Sequence, residues 1–348
     1  MMQPTVKQKN ALMHLVRSPW GAGIGMLAAF LVGYLLRPFI RQNLFGISFV
    51  SSGTTVRQQN QYKLISPLLL CNGINSQNFS DYAKLKAQLS AYISQQLGQP
   101  GVQNISVYFR DTNSRWIGIN ENQGYAPGSM LKVPLMIAYY KWDEARAGIL
   151  QQSLTYDGSF DFNTDETFKP AAAIKPGTYS AEQLIQYMIK DSDNNATAIL
   201  FDHIDKNFLS GVFTDLGLTI PPDNDPSNTS VISAAQYSYF FRILYNATYL
   251  SEEHSEQALE LLTQADFPQG LRQSIPQNVT VAQKFGERTV MDQNHAVLDR
   301  ELHNCGIVYA KDKPYFLCVM TRGADFNVLT QIIQRISAIT YQDMIGKQ

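Results

Sequence analysis

Strand-like alternation occurs near both ends of the region 104–322, and helical periodicity fills the middle. Residues 104–110 and 115–119 alternate as two strands about the turn Asp111-Thr112-Asn113-Ser114. Residues 279–288, 303–310 and 315–322 alternate as three more, the last two joined by a tight turn at 311–314. Between the two sets, helices are expected at 129–147, 196–204, 234–246 and 255–264. Another helix opens on the capping box Ser180-Ala181-Glu182-Gln183 and runs through Ile189. Strands separated in this way fold economically only as one antiparallel sheet built from both ends, with a helical lobe at about 148–265 inserted between them. An amphipathic helix at 80–97 precedes the sheet. Leu85, Leu89, Tyr92, Ile93 and Leu97 lie on one face, with Ser80 as cap and Gly98 as stop. A closing helix follows, with Val328, Leu329, Ile332, Ile333, Ile336 and Ile339 on one side. The expected class is therefore α+β, an α/β sandwich of antiparallel sheet and flanking helices plus a helical lobe.

Composition narrows the function classes. With 348 residues, 45% of them hydrophobic, the chain can bury a sizeable core. Twenty-eight basic against 29 acidic residues, with no basic arm, argue against a nucleic-acid partner. His14, His203, His254, His295 and His303 fall in no ligand spacing, so neither metal nor cofactor is expected. Cys71, Cys305 and Cys318 are too few for a disulfide framework. With the last hairpin centred on 311–314, Cys305 and Cys318 are offset by two positions and do not face each other. Leu-Leu-Leu before Cys71 makes no lipobox.

Residues 18–36 carry no charge and are rich in Gly, Ala, Leu and aromatics. As a helix they rise about 28 Å, close to the hydrocarbon thickness of a bilayer. Lys7, Lys9 and Arg17 precede them, Arg37 and Arg41 follow, and no small-residue cleavage site is evident. An uncleaved signal anchor is expected, with residues 1–17 in the cytoplasm. Residues 37–66 then read as a polar linker and 67–348 as an extracytoplasmic domain.

Three strings carry chemistry. Ser129-Met130-Leu131-Lys132 places a hydroxyl at a helix start, near unpaired amides and the positive end of the dipole. Lys132 projects from the same face, and an amine in apolar surroundings loses proton affinity and becomes a base for the serine. Taken alone, the pair also fits an ordinary helix start. Ser192-Asp193-Asn194 stands before the apolar run 196–204; it suits a capping turn, or a proton relay at Ser192 and a ligand contact at Asn194, with Asp193 orienting the loop. Lys284-Phe285-Gly286 lies on a strand, where the glycine permits close approach of backbone or ligand.

In this order the strings follow the pattern of class A β-lactamases and penicillin-binding proteins. The chain resembles that family of penicillin-recognising serine hydrolases over roughly residues 67–348, including Ser192-Asp193-Asn194-Asn195-Ala196 and Cys305-Gly306-Ile307-Val308-Tyr309. The resemblance implies that Ser129 attacks a carbonyl and is acylated, Lys132 accepts or steers the proton, and Ser192 passes a proton to the leaving nitrogen. It further implies that Asn194 binds the acyl amide and that Lys284 holds Ser192 and a substrate carboxylate by charge. The amides of Ser129 and Glu287, the residue after Gly286, would form the oxyanion hole.

Two departures limit what is implied. The family's third motif has Thr or Ser where this chain has Phe285, and that hydroxyl helps bind the substrate carboxylate. Arg288 either stands in for it or forms an ordinary salt bridge. The Glu-x-x-Leu-Asn loop that activates the deacylating water in class A β-lactamases has no match between the second and third motifs. Asp223 and Asp225 lie there, but turn chemistry accounts for them. The expectation is a membrane-anchored serine hydrolase acylated by β-lactams or acyl-D-amino-acid wall peptides, slow in deacylation and without a second subunit. D-Ala-D-Ala carboxypeptidase, esterase and a non-catalytic binding protein of the same fold are the alternatives.

Overall fold

The computed structural model describes residues 55–57, 62–71, 79–218, 231–294, 296–311 and 313–346. The expected anchor at 18–36 and the aspartates 223 and 225 lie outside the described residues. No helix among the described residues is long and apolar enough to cross a membrane.

Strands β1 (Thr55–Arg57) and β2 (Leu68–Cys71) pair antiparallel. Helix α1 (Ala83–Leu97) leads to β3 (Val102–Asp111) and β4 (Trp116–Ile119). Helix α2 (Lys132–Ala145) enters the lobe, followed by β5 (Ser153–Tyr156), β6 (Gly177–Ser180) and α3 (Ala181–Gln186). The lobe continues with α4 (Asn194–His203), α5 (Lys206–Asp215), α6 (Ala234–Tyr245) and α7 (Glu252–Thr263). Strands β7 (Val281–Met291), β8 (Val297–Val308) and β9 (Tyr315–Gly323) return to the sheet before α8 (Phe326–Ile345).

The sheet is antiparallel in the order β4-β3-β9-β8-β7, so the two ends of the domain meet at the β3–β9 pair. Alternation places successive side chains on opposite faces. Ile105, Val107 and Phe109 of β3, with Leu317 and Val319 of β9, pack with Leu85, Leu89 and Ile93 of α1 and Leu329, Ile332, Ile333 and Ile336 of α8. Tyr108, Phe316 and Met320 face the lobe instead, with Met136 of α2 and Phe240 and Phe241 of α6. This is the expected α+β layering.

Several details differ from expectation. The polar stretch before residue 67 contains folded chain: the compact unit begins at Thr55, and Glu256 accepts backbone N–H bonds from Lys63, Leu64 and Ile65. Helix α1 starts at Ala83, because residues Phe79–Tyr82 form a 3₁₀ turn and the Tyr82 hydroxyl is drawn to Asp111 Oδ2 at 2.9 Å. The β5–β6 pair has no counterpart in the sequence reading, since its strands are only four residues long and mostly exposed.

The cysteine expectation is overturned. Ile307 pairs with Phe316, and Cys305 pairs directly with Cys318, where the two form a disulfide. The loop between β8 and β9 spans residues 309–314 instead of closing tightly at 311–314, with Lys313 N–H bonded to Ala310 O at 2.9 Å. That wider loop moves the register by the two positions that had separated the sulfurs. The bridge closes a span of 13 residues, which in the chain-entropy account stabilises by about 3 kcal/mol. Replacing both cysteines by alanine should lower the urea unfolding free energy by roughly that amount, plus a smaller cavity cost. Equal midpoints and slopes for the two proteins would contradict it.

Candidate active site

The candidate nucleophile stands on a tight turn. Residues Gly128–Leu131 form a 3₁₀ turn ahead of α2, in place of the uniform helix expected from residue 129. Gly128 has φ +53°, and a Cβ there would lie 2.4 Å from Glu287 O, so side chains are excluded on two counts. On β7, a Cβ at Gly286 would lie 2.3 Å from Pro127 O. Two glycines therefore let the Ser129 turn lie directly against the third motif.

The approach to that turn is gripped from β8. Glu301 Oε2 accepts from Ala126 N–H at 2.9 Å, and His303 Nε2 lies 3.1 Å from Ala126 O. Thr321 N–H donates to His303 Nδ1, which leaves the ring proton on Nε2 to donate to Ala126 O. Burial works to raise the Glu301 carboxyl, but His303 and Arg322 hold it below its ordinary value. From the lobe, the Tyr237 hydroxyl donates to Met130 O at 3.0 Å. His303 and Glu301 were invisible as site residues in the sequence, because they act on the turn's backbone across the sheet.

Lys132 projects into the interior, 3% exposed. Its Nζ lies 2.6 Å from Ser192 O, 2.7 Å from Asn194 Oδ1 and 3.1 Å from Ser192 Oγ. Burial pulls its pKa down to about 7, against the opposing charges of Glu166, Asp193 and Glu287. The amine donates to the two carbonyl-type acceptors and to the Ser192 hydroxyl. Lys284, fully buried, donates to the same Ser192 Oγ at 2.9 Å and to Phe285 O at 3.2 Å. Burial, then the nearby Lys132, drives its proton affinity well below the usual lysine value. Ser192 Oγ thus sits between two amines, which is the geometry of a proton relay.

Local backbone conformation holds the second motif in place. After α3 the chain makes a π-helical turn at Tyr187–Asp191, and Ser192 takes a left-handed conformation (φ +60°) that aims it back at Lys132 and Lys284. Asp193 caps α4 by accepting from Asn195 N–H at 2.7 Å and Ala196 N–H at 3.1 Å. Its second oxygen accepts from Ile174 N–H at 2.6 Å. Asp193 orients the loop, as its place between two reactive candidates suggested.

Alternation on β7 sends Lys284 and Gly286 toward the lobe and Phe285 and Glu287 to the other face. Phe285 is buried at 4% exposure and stacks on Phe267 with ring centroids 4.1 Å apart. Phe168 stands edge-on to it at 6.0 Å. Arg288, half-buried on β7, is paired in register with Glu301, whose carboxylate is held by Arg322; no hydrogen bond ties Arg288 to the other site residues among the described residues.

A group the sequence reading missed completes the site. Residues 157–176 join β5 to β6 and cross from the lobe to the free edge of β7. On the lobe side this strap is fastened by Asn195 Oδ1 accepting from Phe162 N–H at 2.7 Å and by Asn163 Nδ2 donating to Asp193 Oδ1 at 3.1 Å. On the sheet side, Glu287 accepts from Phe168 N–H at 2.7 Å and Thr167 N–H at 3.2 Å. The strap delivers Glu166, whose Oε1 accepts from Asn194 Nδ2 at 2.6 Å. Burial, together with a hydrogen bond to Glu166 and the charge of that residue, raises the Glu287 carboxyl to about 7. Ser129, Lys132, Ser192, Asn194, Lys284, Gly286 and Glu287 are therefore together, Glu166 joins them, and Arg288 is at the margin.

Comparison with known proteins agrees with this picture. A family model described as the Beta-lactamase enzyme family matches residues 84–344. Among solved structures, PBP-A superposes with a TM-score of 0.61 at 20% identity, over 76% of this chain and 97% of that chain. A β-lactamase from Sphaerobacter thermophilus gives a TM-score of 0.61 at 17% identity, over 74% of this chain and 96% of that one. The TLA-1 extended-spectrum β-lactamase gives 0.61 at 17% identity, over 74% and 99%. At these identities the likeness is one of fold. No curated protein sequence matches the chain.

Proposed function

The chain belongs to the β-lactamase enzyme family and is a serine hydrolase of that family, and from that premise we propose a particular chemistry for it. The enzyme forms an acyl-enzyme at Ser129 with β-lactams or acyl-D-amino-acid wall peptides and releases it slowly. The observation that carries the reading is the single hydrogen-bonded chain Lys284–Ser192–Lys132–Asn194, whose Lys132 follows Ser129 by three residues at the start of α2.

In the proposed cycle neutral Lys132 takes the Ser129 proton as Oγ bonds to the substrate carbonyl carbon. The amides of Ser129 and Glu287 hold the oxyanion. As the C–N bond breaks, the proton passes through Ser192 to the leaving nitrogen, and Lys284 keeps Ser192 in line. Water must then cleave the ester. Slow release is supported by the missing Glu-x-x-Leu-Asn loop. It is also supported by the engagement of Glu166 with Asn194 and Glu287. Esterase activity gains weight from the aromatic enclosure of Phe285, which offers no hydroxyl to a substrate carboxylate.

We place the enzyme as a monomer outside the cytoplasm, held by residues 18–36. The buried Cys305–Cys318 bridge supports an oxidising compartment. Labelled penicillin and a fluorophosphonate, followed by intact-mass and peptide analysis, should each add one acyl or phosphonyl group at Ser129. No adduct, or an equal adduct on Ser129→Ala, would overturn the reading. In fractionated cells the labelled band should sediment with membranes and become soluble when residues 1–40 are removed.

A further inference from the structure

The polarity of the cleft points to its substrate. Asn194 has two amide N–H groups with which to receive an acyl carbonyl, yet both have acceptors of the chain's own. Nδ2 donates to Glu166 Oε1 at 2.6 Å and to Phe162 O at 3.0 Å. Its Oδ1 already accepts from Lys132. The subsite therefore presents carboxylate oxygens where a donor would otherwise stand. Glu166 is half-buried, so its oxygens lie at the cleft and are neither deep in the core nor fully in water.

The rest of the cleft has the same bias. Glu287 lies beside Glu166, and a hydrogen bond joins their carboxyl groups. The two lysines of the site are weak counter-ions for these carboxyl groups: both are buried, and both have lowered proton affinity. At the middle position of the third motif, Phe285 is buried against Phe168 and Phe267 on the far face of β7, so no hydroxyl is offered to the cleft. A carboxylate on the acyl chain would meet acceptors. An ammonium on the acyl side would pair with the carboxyl oxygens of Glu166 and Glu287.

Resting on the serine-hydrolase reading above, we propose that Glu166 is a specificity-determining residue, selecting acyl donors that carry a protonated amine on the acyl chain. Glu166 binds the ammonium, and Glu287 supports it from β7. The strap at 157–176 is the element that brings this selectivity to the site.

The test uses three p-nitrophenyl esters of matched length: 6-aminohexanoate, hexanoate and the mono-ester of adipic acid. Release of nitrophenol gives kcat/KM for each, and intact mass gives the adduct on Ser129. The ammonium ester is expected to exceed the carboxylate ester by tenfold or more at pH 7 and low salt, with the ratio shrinking as ionic strength rises. Glu166→Gln should cut that ratio at least fivefold, mainly through a higher KM for the ammonium ester, and Glu166→Asp should restore most of it. A purely structural defect would slow both charged esters alike and leave the ratio intact. Ratios near one in the unmodified enzyme, or unchanged in Glu166→Gln, overturn the proposal while leaving the hydrolase in place. Absence of any Ser129 adduct with all three esters rejects the hydrolase reading itself.

Discussion

Lys132→Met is expected to slow acylation of Ser129 by about 10²–10⁴-fold at pH 8, the usual range for a lost general base. Methionine keeps the length and flexibility of the buried stem, so the interior stays filled. It supplies no lone pair for the serine proton and no N–H for Ser192 O or Asn194 Oδ1. Lys284 is a poor substitute, being fully buried and committed to Ser192 Oγ and Phe285 O. The unmodified enzyme should show why the amine matters. Its Lys132 pKa is pulled down to about 7, so below that pH the group is an ammonium and cannot accept a proton, and above it the group is neutral. The acylation rate therefore rises with pH through about 7 and then levels. Glu287, held near 7 as well, ionises in the same window and favours the ammonium, which makes the rise shallower than a single titration. Single-turnover labelling with an activated ester from pH 5 to 9 reads both effects. A variant within tenfold of the parent, or a parent rate independent of pH, would remove Lys132 from the role of base.

The parts of this molecule legible in the sequence are those whose signal is local. Strand β9 is an almost continuous apolar run buried on both faces, so its existence could be read directly, whereas which side chains face which layer could not. Strand β8 was recognised only from residue 303, because Val297 and Leu298 lie exposed at its start and break the pattern of burial. Its register depended on a loop two residues wider than the tightest turn, and nothing in residues 309–314 specifies that width. The disulfide was therefore misjudged although both cysteines had been seen. Serine, lysine and asparagine of the first two motifs could be named because each motif is contiguous and sits at a helix start. Glu166 could not, because its route to Asn194 depends on the side-chain ties between Phe162 and Asn195 and between Asn163 and Asp193. Such polar pairs across some thirty residues leave no periodic trace. His303 and Glu301 were hidden for a similar reason: they act on Ala126 across the sheet, and only the fold makes them neighbours.

Gly286→Val should all but abolish acylation while leaving a folded protein. A Cβ at this position would stand 2.3 Å from Pro127 O, 2.7 Å from Met130 Cγ and 3.1 Å from Met130 N. The methionine side chain can turn aside, but Pro127 O is backbone in a turn gripped by Glu301, His303 and Tyr237. On the other side, β7 is fixed by its ladder to β8, in which Gly286 pairs with His303. Valine can be admitted only by separating the Ser129 turn from the strand that carries Glu287. That separation pulls apart the two amides proposed to hold the oxyanion. Loss of one such donor costs about 10²–10³-fold, and a displacement of about 1 Å at the nucleophile costs roughly another 10²-fold. The stability cost of overpacking is about 1–3 kcal/mol, which is smaller than the total of about 5–15 kcal/mol for an ordinary domain. Thermal melting should therefore show a lowered but cooperative transition. Gly211→Ala is the companion measurement, since a Cβ on that helical glycine of α5 meets nothing within 4 Å and the backbone there is not left-handed. It should melt at or above the parent temperature and acylate at the parent rate. A cooperatively folded Gly286→Val protein that acylates as fast as the parent would show that the close contact between the Ser129 turn and β7 serves packing and not the oxyanion.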